Sequence, residues 1–317
     1  MIKKFPNLYK SLIHKKMKKF NLKSKKLLTT ALFITSGLTI LSYSNPAKAA
    51  CPDASSVTSP NGSGDATSFI ALSGGSCYGT PEEYGVTIYK MGLCTSDPKP
   101  TAVGSAPDTS SCSFNFEKDD GVGEPASFAA GGEVALSDTY SSRPDVGEYE
   151  FAYIEIKNSF DIKAKYGPLG DAANTTYFTN GTLGQAGTVT GSSTTPTASD
   201  GYATTTAPLN TFFGDGGTEI CAATATESVT GGTIRAYLLD SSDQLIADDS
   251  SVTECSGVTK LLGVMQLDTK VNITASTTSV KTTFKVTDNG TTVIYDDGSD
   301  GILFDSGPFS VSFETSE

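Results

Sequence analysis

The sequence predicts an all-β fold: one or more antiparallel β-sandwiches, immunoglobulin-like or jelly-roll-like, behind a cleaved N-terminal signal helix. Three observations predict it. Short apolar runs alternate with polar residues at period two. Turns rich in Asp, Gly, Ser and Asn separate them. Almost nothing after residue 49 carries the 3.6-residue period of an amphipathic helix.

Residues 1–49 read as the signal. Met1 to Lys26 carry many lysines and no acid, and an apolar run extends from Leu27 to Leu41. Asn45-Pro46 and the small-residue site Ala47-Lys48-Ala49 close it. That order predicts a cut between Ala49 and Ala50. The apolar run is about fifteen residues, short of the ~20 a membrane span needs. No later stretch is long and apolar enough, so no transmembrane segment is expected in the mature chain. Met17 offers an alternative start, because Met17-Lys18-Lys19-Phe20 would begin a signal of ordinary length. Cys51 lies near the cut, but no apolar residue stands three positions before it, as a lipoprotein signal would require.

The first strand-like stretch, Ser68 to Leu72, is short. In Tyr84 to Met91, Tyr84, Val86 and Ile88 alternate with Gly85, Thr87 and Tyr89. Further strands are expected at Ser113–Phe116, Ala126–Ala129 and Glu133–Leu136. The strongest signal of this half runs from Gly147 to Tyr166. Tyr149, Phe151 and Tyr153 alternate, and the apolar phase then moves to Ile154 and Ile156. That shift predicts a bulge or strand end. Asn158-Ser159 is expected to turn the chain into a second strand, Phe160 to Ala164. Residues 167–208 are rich in Thr, Gly, Ser and Ala and read as a linker or long loop. This segment would divide an N-terminal β domain, 50–166, from a C-terminal β-sandwich, 209–317. In the latter, strands are expected at Glu219–Thr224, Gly232–Leu239, Gln244–Ala247, Lys260–Leu267, Val271–Thr274, Lys281–Thr287, Thr291–Tyr295 and Pro308–Glu314. Asp288-Asn289-Gly290 predicts a tight hairpin, since Asn-Gly accepts positive φ.

Charge and residue usage exclude several chemistries. The chain has 23 basic and 35 acidic residues, net −12. Residues 1–49 hold 11 lysines and no acid, so residues 50–317 carry 12 basic against 35 acidic side chains, net −23. Such a surface repels nucleic acid and anionic lipid. The one histidine, His14, lies within the signal. The mature chain therefore offers no Ser–His–Asp or Cys–His arrangement and no histidine-bound zinc. Phosphate-loop and dinucleotide fingerprints are absent too.

All six cysteines lie beyond the cut: Cys51, Cys77, Cys94, Cys112, Cys221 and Cys255. An even number in an exported chain implies disulfides, and six cysteines allow fifteen pairings that spacing cannot separate. Local pairing is the expectation: Cys51 with Cys77, Cys94 with Cys112, Cys221 with Cys255.

Two kinds of site remain open. Paired carboxylates would serve a hydrolase, but Glu148, Glu150 and Glu155 read as the solvated face of a strand. Calcium is the one cofactor the sequence leaves open. Asp296, Asp297 and Asp300 fall within six residues of an acidic, glycine-bearing turn that suits its oxygen preference. Asp119-Asp120-Gly121 and Asp248-Asp249 are smaller versions. The plainer reading is a solvated turn. Triplets at Asn61, Asn174, Asn180, Asn272 and Asn289 fit the N-glycosylation pattern. The functional expectation is an exported, non-enzymatic structural or interaction protein of the cell surface or extracellular space. It would be a surface-layer, filament or adhesin-like subunit, self-associating or meeting a surface partner. A calcium- or carbohydrate-binding module is the alternative, and a carboxylate-based hydrolase the third.

Overall fold

A computed structural model describes residues 50–57, 69, 73, 75–118, 120–129, 142–191, 195–212, 220–229, 231–296, 301–307 and 309–317. Residues 1–49, where the signal is expected, and the expected strand at Glu133–Leu136 lie outside these residues. So does nearly all of Ser68–Leu72.

Strands begin with β1 (Ser76–Gly79) and β2 (Glu83–Cys94), whose Tyr84, Val86 and Ile88 are all buried. β3 (Cys112–Glu117) and β4 (Glu124–Ala129) line one side of β2 in succession. β5 (Gly147–Lys157) and β6 (Ser159–Lys163) line the other side. Asn158 breaks the strand without reversing it, because β5 and β6 both run antiparallel to β2. This corrects the expected turn. β5 is also uninterrupted across the shift of apolar phase at Tyr153–Ile154. Phe151 to Ile156 are buried on both faces, so alternation disappears there. The irregularity sits in the partner, between Ile88 and Lys90 of β2.

The Thr- and Gly-rich segment contributes strands. β7 (Lys165–Tyr166), β8 (Thr176–Thr179) and β9 (Ala186–Val189) form a three-stranded sheet. β10 (Thr205–Pro208) pairs with β6. β11 (Thr224–Val229) and β12 (Gly232–Leu239) come next, then β13 (Lys260–Ile273). β13 fuses the two runs expected at Lys260–Leu267 and Val271–Thr274. It pairs with β5 across a register shift between Gln266 and Val271. Segments from either side of 167–208 thus share one sheet, of order β10-β6-β2-β5-β13-β12-β11 with β3 and β4 on β2.

β14 (Ser279–Lys285), β15 (Thr291–Asp296), β16 (Gly301–Ser306) and β17 (Ser310–Ser316) complete the chain. Asp288-Asn289-Gly290 does not close a hairpin. β14 pairs with β17, and β15 with β16, so 279–316 is one long hairpin bent at that tripeptide. Asp288 takes the left-handed conformation, φ 56°, and Gly290 N donates to Val286 O (2.8 Å). β1 adds to the outer half through β15.

The inner half packs on the large sheet. Phe284 of β14 meets Phe128 of β4 at 5.0 Å, and Phe313 of β17 joins Met91, Ile154 and Met265 around a cavity of about 10 Å³. Successive side chains of β5 point to opposite faces. Tyr153 therefore lies on the other face, under the ring of Phe114 at 5.4 Å. Every strand ladder among the described residues is antiparallel. The fold is all-β. No helix among the described residues is long and apolar enough to cross a membrane.

Candidate functional site

One charged cluster among the described residues lies on the Tyr153 face. Glu155 of β5 stands opposite Leu262 of β13, so Lys260, two residues earlier, is its diagonal neighbour on the same face. Lys260 Nζ donates to Glu155 Oε1 (2.8 Å) and to Asp243 Oδ1 (2.5 Å). The Tyr153 hydroxyl donates to the other carboxylate oxygen, Glu155 Oε2 (2.8 Å). The ring of Tyr89 lies 5.1 Å from Nζ. Glu155 is 1 % exposed. Asp243 comes from the turn after β12, where it takes φ 62°. Asp240 Oδ1 shapes that turn by accepting from Ser242 N (2.8 Å) and Gln244 N (2.9 Å).

Burial works against the Lys260 charge. The hydrogen bonds to Asp243 and Glu155 outweigh it and hold its pKa above the ordinary value. Burial also raises Tyr89, which the Lys260 charge partly offsets. Here the sequence reading fails. Glu155 is not on a solvated strand face, because an unbroken apolar strand buries both sides and Glu155 has Lys260 to neutralise it. Glu148 does remain exposed and Glu150 is half-buried, beside Lys270 at 4.0 and 2.6 Å.

A second concavity, of about 290 Å³, opens over β2 between β4 and β6. Glu83, Asp161, Thr87, Ser127 and Thr204 are among the residues that line it. Both acids are already engaged, Glu83 with Lys163 (3.3 Å) and Asp161 with the Thr206 hydroxyl (2.6 Å). Neither grouping was visible in the sequence, because both depend on strand register between distant segments.

The calcium candidates fare unevenly. Asp297 and Asp300 lie outside the described residues, and Asp296 ends β15, so the acidic run falls between β15 and β16. Asp120 Oδ1 accepts from Val122 N and Gly123 N (both 2.8 Å), and those bonds lower its pKa. Asp248 accepts from Ala223 N (2.7 Å), and Asp249 from Ser251 N (2.8 Å). These acids shape turns. Among the described residues no three His, Cys, Asp or Glu side chains gather to hold a metal ion.

The cysteines pair locally: Cys51–Cys77, Cys94–Cys112 and Cys221–Cys255. Cys94 and Cys112 stand directly opposite each other at the ends of β2 and β3. Three disulfides mark an oxidising environment, extracellular or periplasmic. No protein-family model, curated protein or solved structure gives a significant match to the chain.

Proposed function

We propose that the protein is an exported, non-enzymatic structural or interaction protein of the cell surface or extracellular space. It would be a surface-layer, filament or adhesin-like subunit. One observation carries this reading: charged side chains tie one segment of the chain to another. Arg235 of β12 grips Asp97 of the β2–β3 connection with two parallel bonds (2.7 and 3.0 Å). Lys260 joins β13 to β5 and to the β12 turn. Arg143 Nη1 donates to Thr277 O (2.8 Å), tying the segment before β5 to the turn before β14. Charges used this way fix loops over a broad sheet. Removal of residues 1–49 accords with the lysine-rich, apolar and Ala-x-Ala order of that segment.

Fractionation of native cells tests it. The reading expects the chain outside the cytoplasm, in assemblies larger than one copy or bound to the surface. A freely diffusing monomer would contradict it.

The alternative, calcium binding, rests on the acidic run at the β15–β16 connection. Calorimetric titration of the metal-free protein with calcium decides it. Heat that disappears in Asp297→Asn/Asp300→Asn supports that alternative, and no heat removes it.

A further inference from the structure

We propose that Lys260 and Asp243 condense into an intramolecular isopeptide bond, with Glu155 carrying the proton. The inference does not depend on the surface-protein reading.

The parts are in place. The Lys260 amine contacts one carboxylate that can become the acyl partner and another that can accept its proton. Their environments differ. Glu155 is enclosed on β5, 1 % exposed, and fixed at its second oxygen by the Tyr153 hydroxyl. That suits a proton carrier held in one geometry. Asp243 sits on a turn, its side chain about a third exposed, where the departing oxygen can reach solvent. The Lys260 side chain is only 13 % exposed and lies under Tyr89. Burial opposes the Lys260 charge although its carboxylate partners outweigh it, and only the neutral amine can attack, so a proton must first leave Nζ.

The step balances without a co-reactant. An ammonium proton passes from Nζ to Glu155. The freed amine attacks Asp243 Cγ, the N–C bond forms, and one Cγ–O bond breaks. Glu155 returns its proton to the departing oxygen, which takes the second proton lost by nitrogen and leaves as water. Glu155 ends as it began. The pairing that keeps Lys260 protonated makes the first transfer the barrier, so the bond forms slowly after folding. It would close the segment between β12 and β13 at its base, the segment that carries Cys255.

Intact-mass spectrometry of the folded, oxidised protein tests this, with peptide mapping after reduction. The expected mass is one water below that of the chain with three disulfides. Mapping then yields one branched peptide joining the Asp243 and Lys260 segments. Lys260→Arg keeps a cation for the two carboxylates and should show no deficit. Glu155→Gln should lose the deficit or form it at least tenfold more slowly. Asp243→Asn should lose ammonia instead of water, so the proposal stays testable if Glu155→Gln fails to fold. Full mass in the wild-type protein, with separate linear peptides, overturns the proposal. So does a branch at Glu155 instead of Asp243, or an undiminished deficit in folded Glu155→Gln.

Discussion

Arg143 and Arg235 are the two arginines of the chain, and each holds distant segments together. The Arg235–Asp97 pair is bidentate and mostly buried, with side chains 18 % and 27 % exposed. Replacing Arg235 by Met keeps the apolar stem and removes both bonds. That should cost about 1.5–3 kcal/mol in urea unfolding, the range for hydrogen bonds to charged groups. The pair also makes stability depend on pH. Burial raises the Asp97 pKa, but the hydrogen bonds from Arg235 and Lys99 hold it below its ordinary 3.8. A carboxylate depressed in the folded state stabilises fully above its unfolded pKa and loses that contribution as pH falls through the folded value. Unfolding midpoints should therefore drop below pH 3.8, less steeply in Asp97→Asn than in wild type. Thr282 points the other way. Its hydroxyl has no hydrogen-bond partner among the described residues and lines the small apolar cavity beside Phe313. An unmet buried hydroxyl costs about 1–3 kcal/mol. Thr282→Val keeps the shape, and thermal unfolding should find it more stable.

Most strands of the central sheet were legible from alternation, including β2, β3, β4, β12 and both halves of β13. Local pairing of cysteines at strand ends matched the disulfides. Three features were not legible, for separate reasons. β11 is Thr-Ala-Thr-Glu-Ser-Val, an edge strand with Thr224, Thr226 and Ser228 exposed, so it carries little apolar signal. Asp288-Asn289-Gly290 has the local chemistry of a hairpin, but the strands beside it find partners farther along the chain. The Lys260 cluster needs residues 89, 153, 155, 243 and 260 in one place, which no local pattern encodes. The bent hairpin depends on Gly307, whose N–H donates to Gly290 O (3.1 Å). A Cβ there would run into Asn289 O and the Thr291 amide. Gly307→Ala should destabilise by about 1–3 kcal/mol, the usual cost of forced overpacking, with lost protection of β15 and β16 amides in hydrogen exchange. The Cys221–Cys255 bridge spans 34 residues. Cys221→Ser/Cys255→Ser should cost about 3–4 kcal/mol in denaturant unfolding.

At the scale of the molecule, one wide antiparallel sheet gathers strands from β2 to β13, the long hairpin covers part of one face, and disulfides staple three connections. A sheet assembled from such distant segments closes long loops before its contacts form, and bridges limit that entropic cost. This architecture suits an oxidising environment, extracellular or periplasmic. Net charge −23 after residue 49 keeps such a protein soluble and away from anionic surfaces. Native-protein fractionation combined with intact mass tests the central claim most directly. The account predicts a chain beginning at Ala50, outside the cytoplasm, with six thiol hydrogens missing. A cytoplasmic chain that retains residues 1–49 and six free thiols would contradict it.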